Sequence, residues 1–136
     1  MKRLTEGWVR KAESNFISAT VLREHAQRQH DEICFFCQQS AEKYLKALLA
    51  ERNETIPKTH NLVAILRLIT PHHPEFRTFR RGLDFLTRFA VDTRYPGDDA
   101  GFRQAAAALR WAERIREVCR SLLGIDGSRV RKPKRQ

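Results

Sequence analysis

The sequence predicts an all-α protein, folded as an antiparallel up-and-down bundle of four long helices and one short helix. Its five prolines and six glycines fall in clusters that are separated by helix-length intervals. Within the intervals, apolar residues recur three and four positions apart, which is the spacing of one face of an α-helix. No interval shows the strict alternation of a β-strand. The sequence therefore gives no reason to expect a sheet.

The first helix is predicted over residues 5–27, where apolar or small residues form one stripe. The members of this stripe are Trp8, Ala12, Phe16, Ala19, Leu22 and Ala26. Ile17 and Val21 lie away from the stripe and one turn apart. We predict that these two side chains meet either another subunit or a second element of the same chain.

The second helix is predicted over residues 31–52 and should be central, because its apolar arc is the widest in the chain. Asp31 is expected to cap its start, and Glu42 and Lys46 to form an i,i+4 pair on its polar side. Phe35 falls on that polar side as well. We therefore expect Phe35 to be either exposed or covered by a partner.

Three further helices complete the predicted bundle. A short one follows residues 53–58, is capped by Thr59 or Asn61, and ends before Pro71. A long one spans residues 75–94 and is weakened locally by Gly82. Its expected core residues are Phe76, Phe79, Leu83, Leu86 and Ala90.

The last helix is predicted over residues 98–123. Its expected buried residues are Phe102, Ala105, Ala108, Leu109, Trp111, Ala112, Ile115, Cys119 and Leu122. Arg103, Arg110 and Arg114 share another face of this helix, and a solvated surface is preferred there over a phosphate-binding track. The whole folded unit is predicted to be one domain, residues 1–125.

The net charge of +10 indicates attraction to polyanions such as RNA. Residues 128–136 hold five basic residues and no acidic one, and residues 126–136 are expected to form a disordered basic tail. The chain has no apolar run of about 20 residues and no apolar segment at its start. We therefore expect a cytoplasmic protein without membrane association.

The segment at residues 90–99 is the first candidate for a functional site. Tyr95 precedes Pro96, whose ring disfavours helical geometry at the residue before it, so a helix should end near Arg94. A guanidinium group at a helix end is favoured by the helix dipole and still has donors for a phosphate. The alternative is that Arg94 and Tyr95 belong only to a helix end followed by a turn.

Three other motifs are weaker indications of a functional site. Cys34 and Cys37 have the spacing of a redox or zinc pair, but both fall on the apolar arc without a second pair, which predicts core thiols and no metal. Arg67 and His72 flank Pro71, so we treat their spacing as chance. His60 can cap a helix, contact a neighbouring helix or serve a site.

Three segments occur in order: Cys-Gln-Gln-Ser-Ala-Glu-Lys-Tyr-Leu-Lys-Ala-Leu-Leu at 37–49, Lys-Thr-His-Asn-Leu at 58–62 and Asp-Thr-Arg-Tyr-Pro-Gly at 92–97. Together they resemble the HEPN domain family, in its prokaryotic, nucleotidyltransferase-associated type, over about residues 5–123. The resemblance implies a helical bundle that commonly dimerises, and an association with nucleotides or RNA. It also implies a small nucleotidyltransferase partner or a toxin–antitoxin system.

In the ribonuclease members of that family, an arginine and a histidine four to six residues later cleave RNA without metal, with both subunits contributing. Arg94 matches the arginine, but no histidine follows at that spacing. We therefore expect a non-catalytic domain without a cofactor that binds a nucleotide or RNA through Arg94, Tyr95, Lys43 and His60.

The sequence leaves two other hypotheses about function open. The first is a metal-independent ribonuclease toxin in which His60 replaces the missing histidine. The second is a bundle that only makes protein contacts through Phe35, Ile17 and Val21. A homodimer is expected in any of these cases, because the resemblance implies one.

Overall fold

The computed structural model describes residues 1–26, 28–90 and 96–125. These residues form five α-helices and one 3₁₀ helix, and they contain no strand. The helices are α1 (Arg3–His25), α2 (His30–Glu51), α3 (Leu62–Ile69), the 3₁₀ helix (Pro74–Phe79), α4 (Arg80–Thr87) and α5 (Phe102–Leu122). The all-α helical bundle predicted from the sequence is confirmed.

Helix α2 is the centre of the bundle. It packs against α1 and α5 along its length, and against α3 and α4 as well. Ile33, Cys37, Tyr44 and Leu45 on this helix have no exposed surface. Because neighbours cover α2 on most sides, its apolar arc is wide, and the central position predicted for it is confirmed.

Helix α1 packs antiparallel to α2 through small residues. Ala12 and Ala19 are fully buried and flank the buried ring of Phe16, which lets the two backbones approach closely. Ile17 and Val21 point away from this contact, with 42% and 49% of their surface exposed. Within the described residues they therefore form an exposed apolar pair on α1.

Helix α3 begins and ends where the sequence predicts. The Asn61 side-chain oxygen accepts hydrogen bonds from the backbone nitrogens of Val63 and Ala64, at 3.0 and 3.2 Å. The helix stops at Ile69, before Pro71. The backbone nitrogen of Leu62 donates to Thr87 Oγ1 at 3.0 Å, so the start of α3 is fastened to the end of α4.

The helix predicted over residues 75–94 is divided into two parts. A 3₁₀ helix begins at Pro74 and passes directly into α4, which ends at Thr87. In a 3₁₀ helix residues three apart lie on the same side, so Phe76 and Phe79 both enter the core. Gly82 is buried beneath Trp111, and a Cβ atom at Gly82 would come within 2.2 Å of that ring. The glycine thus provides space for the tryptophan.

Two predictions about helix starts and two about the core of α5 are wrong. Asp31 does not cap α2, which begins one residue earlier; its carboxylate instead accepts a hydrogen bond from the Ala100 backbone nitrogen at 2.7 Å. The Gln104 side-chain oxygen accepts a hydrogen bond from the Gly101 backbone nitrogen at 2.6 Å, so α5 begins at Phe102 instead of residue 98. Phe102 and Leu122 were predicted to be buried, but they are 60% and 40% exposed, because each lies in an end turn of α5. Arg23 of α1 and His30 of α2 contact the Phe102 ring and cover only part of it.

Two predicted features lie outside the described residues. These are the corner residues Arg94 and Tyr95 and the basic tail at residues 126–136. Among the described helices, none combines the length and the apolar character that crossing a membrane requires.

Candidate site around His60

His60 presents an exposed imidazole ring that is held by a buried carboxylate. Its side chain is 62% exposed, and its Nδ1 lies 2.9 Å from Glu42 Oε1. The Asn61 cap and the Leu62–Thr87 hydrogen bond fix the backbone on the C-terminal side of this ring. Within the described residues no group hydrogen-bonds to Nε2, so this nitrogen remains available to a ligand.

Glu42 is suited to orient His60 because other side chains bind both of its carboxylate oxygens. Its other oxygen, Oε2, lies 2.9 Å from Lys46 Nζ, and Gln38 Nε2 donates to Oε1 at 3.0 Å. Burial alone would raise the pKa of Glu42, but hydrogen bonds from Lys46, His60 and Gln38 hold that pKa below its usual value. When Nδ1 of His60 donates its hydrogen bond to this carboxylate, Nε2 of that tautomer is an acceptor.

Lys43 is connected to His60 by a continuous chain of side chains. Gln39 Nε2 donates to Gln38 Oε1 at 2.7 Å, and Lys43 Nζ donates to Gln39 Oε1 at 3.1 Å. Lys43 Nζ also donates to Asn15 Oδ1 at 2.8 Å. We call the hydrogen-bonded group of His60, Glu42, Gln38, Gln39 and Lys43 the His60 edge.

The ammonium group of Lys43 lies among other positive charges. Partial burial lowers the pKa of Lys43, Glu42 raises it, and the charges of Lys11 and Lys46 lower it further. An ammonium group has three donors, of which Asn15 and Gln39 take two. Among the described residues nothing accepts from the third donor of Lys43, which is therefore available to an anionic ligand.

The Glu42–Lys46 pair was predicted on the polar side of α2, and that side proves to be buried. The i,i+4 pair exists, but Glu42 and Lys46 are only 3% and 5% exposed. Lys46 Nζ lies 5.6 Å from the centroid of the Trp8 ring of α1. The polar side of α2 is thus covered by α1 and by the segment before α3, and the buried pair supports the site from beneath.

A second buried network was missed by the sequence reading. Arg116 of α5 is 1% exposed and binds the carboxylate of Glu13 with two donors, each at 2.7 Å. Tyr44 of α2 donates its hydroxyl hydrogen to the same carboxylate and accepts from Arg120 Nη1 at 3.3 Å. The network joins α1, α2 and α5. The signal available in the sequence was the position of Arg116 on the buried arc of α5, next to Ile115.

The residues predicted to form an interface differ in how far they are exposed. Ile17 and Val21 are exposed on α1, as described above. Phe35 on α2 is half-buried, and its ring centroid lies 5.7 Å from that of Phe36. Phe35 was predicted to be exposed or covered by a partner; part of its surface is exposed, and a partner contact there stays a prediction.

Cys34 and Cys37 are buried cysteines outside any disulfide, as predicted, and Cys119 is a third. Burial raises the pKa of Cys37 and of Cys119, so both remain neutral. No group of three His, Cys, Asp or Glu residues in the described part of the chain is arranged to hold a metal ion.

Arg67 and His72 do not form a common site. His72 Nε2 lies 3.0 Å from Glu54 Oε1, whereas Arg67 lies on the exposed side of α3 beside the 3₁₀ helix. The interpretation of their spacing as chance agrees with these positions.

These features define an all-helical bundle with a carboxylate-held histidine that hydrogen-bonded side chains link to a lysine. A sequence model described as the HEPN domain matches residues 5–122, and the chain belongs to the HEPN domain family. The crystal structure of an archaeal HEPN homologue has the same fold, with a TM-score of 0.70 and 24% sequence identity. The match covers 90% of this chain and 99% of the homologue. No curated protein matches the chain significantly.

Proposed function

We propose that this HEPN domain is a non-catalytic accessory domain that binds a nucleotide or RNA and acts with a small nucleotidyltransferase. The observation that carries the proposal is the His60 edge, where an exposed imidazole and a lysine with a remaining donor are joined by hydrogen bonds. A phosphate can accept from the ammonium of Lys43, and a ribose hydroxyl can donate to Nε2 of His60. The net charge of +10 adds attraction to the phosphate backbone.

Arg94 and Tyr95 provide the second half of the proposed site. They stand in the segment that resembles the family motif, and an arginine fork is well suited to bind a phosphate. The absence of a histidine four to six residues after Arg94 supports binding without cleavage. The nucleotidyltransferase partner is supported by the resemblance to that type of HEPN domain, and a gene neighbourhood without such an enzyme would contradict this part.

Two substitutions test the binding proposal, Arg94→Ala and His60→Gln. Each should weaken the affinity for a short oligoribonucleotide about tenfold, because each removes one charged or hydrogen-bonding contact. Fluorescence anisotropy at fixed salt measures the affinity. Arg10→Ala, which removes an exposed arginine of α1, is the matched control and should change the affinity far less. Equal affinities for the wild type and Arg94→Ala would remove Arg94 from the site.

The His60–Glu42 pair favours one second candidate, a metal-independent ribonuclease. An imidazole whose Nδ1 is held by a carboxylate can exchange a proton through Nε2, as a general acid or base must. In this candidate Arg94 stabilises the charge that develops on the phosphate. The two groups are supplied by a homodimer that uses the exposed Ile17 and Val21 and the half-buried Phe35.

RNA incubated with the protein in a chelator tests the second candidate. Cleavage should occur and should disappear in His60→Gln, whereas Ile17→Lys should yield a monomer by analytical sedimentation and lose activity with it. If the folded wild type leaves RNA intact under these conditions, this candidate is wrong. A dimer that neither binds nor cleaves RNA would instead favour a bundle that only makes protein contacts.

A further inference from the structure

A basic pocket lies between α3, the 3₁₀ helix and the start of α4. Its volume is about 300 Å³. The lining residues are Val63, Leu66, Arg67, Thr70, Arg77 and Arg80. Three of the six are arginines, each from a different element, and none is acidic. We call this pocket the arginine pocket.

The three arginines have no acidic partner within the described residues. No carboxylate lies within 4.0 Å of the guanidinium groups of Arg67, Arg77 or Arg80 there, whereas Arg52, Arg116 and Arg120 each have one. A guanidinium group cannot lose its charge by deprotonation in a protein. Three such charges around one pocket repel one another, although water and salt weaken this repulsion because all three side chains are exposed.

Helix dipoles account for only part of this arrangement. Arg67 lies in the last turn of α3, where a positive charge is favourable. Arg80 begins α4, but α4 continues directly from the 3₁₀ helix, and the Arg80 backbone nitrogen donates to the Arg77 carbonyl oxygen. The dipole of α4 therefore has no free N-terminal end at Arg80. A bound anion would offset the repulsion between the three arginines.

We propose that the arginine pocket binds a phosphomonoester, the terminal phosphate of a free nucleotide or of an RNA 5′ end. A phosphomonoester carries close to two negative charges at neutral pH, against one for each internal phosphate of RNA. Arginine forks bind its oxygens in pairs, and the hydroxyl of Thr70 adds a further donor. Val63 and Leu66 supply an apolar surface for the adjoining sugar or base.

The pocket adjoins the His60 edge along the chain. Val63, its first lining residue, stands three positions after His60. An RNA strand with its terminal phosphate in the pocket would therefore begin close to the His60 edge. The assignment of the ligand as the 5′ end of an RNA rests on the proposed function, whereas binding of a free nucleotide does not.

Paired ligands that differ only in the terminal phosphate test the proposal. A 5′-phosphorylated oligoribonucleotide is compared with its 5′-hydroxyl form, and AMP with adenosine, by isothermal titration calorimetry. The wild type should prefer the phosphorylated member of at least one pair about tenfold, the ratio expected from a charge-assisted hydrogen bond. Arg67→Gln, Arg77→Gln and Arg80→Gln should each reduce that preference towards one.

Arg81→Gln is the matched control, because Arg81 is exposed next to Arg80 but lines a different depression, with Phe85 and Trp111. It should keep the preference. A preference within the AMP pair assigns the free nucleotide, and a preference within the oligonucleotide pair alone assigns the RNA end. Equal affinity within both pairs, or an equal loss in Arg81→Gln, would overturn the proposal. Circular dichroism verifies that each variant is folded.

The test of the arginine pocket can succeed or fail independently of the test of the proposed function. Arg94→Ala and His60→Gln should weaken both oligonucleotides to the same extent and leave their ratio unchanged. If those variants bind as the wild type does while the AMP pair still shows the preference, the arginine pocket stands and the His60 edge does not.

Discussion

Replacing Arg116 with methionine is expected to lower the free energy of unfolding by about 3 kcal/mol, the lower end of the cost of breaking a buried ion pair. Arg116 is almost completely buried, and its two hydrogen bonds hold the Glu13 carboxylate against Tyr44. Without the guanidinium, a partly buried charge remains without its main partner. Because part of Glu13 is in contact with water, the cost should stay near this lower value. Urea unfolding followed by circular dichroism measures it.

Two further variants separate the effect of losing the ion pair on stability from the effect of losing side-chain volume. Arg110→Met removes an exposed arginine from the same helix and should change stability by less than about 0.5 kcal/mol. Adding Glu13→Gln to Arg116→Met should recover part of the loss, because the unpaired charge is then gone. An Arg116→Met protein as stable as the wild type would show that the network does not stabilise the bundle.

Gly82→Ala is expected to destabilise the bundle by about 2 kcal/mol, although alanine is the better helix former. The added Cβ would lie 2.2 Å from two atoms of the Trp111 ring, which is far inside van der Waals contact. Either α4 must move away from α5 or the ring must leave its position. Thermal unfolding measures the loss, and the fluorescence of Trp111 should change with it.

Gly7→Ala is the matched control in α1. A Cβ at Gly7 meets only the end of the Arg10 side chain, at 4.0 Å, so this variant should gain about 0.5 kcal/mol from helix propensity and a less flexible unfolded chain. If both alanine variants are stabilised, the close contact between α4 and Trp111 is not a constraint on the fold.

The helices themselves could be predicted from the sequence because apolar spacing records which face is buried. The central position of α2, the cap at Asn61 and the end of α3 before Pro71 follow from local patterns of this kind. The start of α5 was misplaced although a local signal marks it, the side chain of Gln104 three residues after Gly101. The hydrogen bond between Asp31 and Ala100 joins residues 69 positions apart, and no local pattern predicts it.

The candidate site was predictable only in part, for a related reason. His60 was recognisable as a candidate, but the carboxylate that holds it was read as half of a surface pair. Glu42 becomes a buried group only because α1 and the segment before α3 cover that side of α2. Arg116 was missed because an arginine on an apolar arc is normally read as a solvated exception to the pattern.

The reactivity of the buried thiols reports on local unfolding of the protein. Cys37 in α2 and Cys119 in α5 are fully covered, and burial keeps both in the neutral form, which is unreactive as a nucleophile. An alkylating reagent can reach these sulfurs only in molecules whose helices have separated. The rate at which each is modified therefore measures how often α2 and α5 come apart, without any label being introduced into the chain.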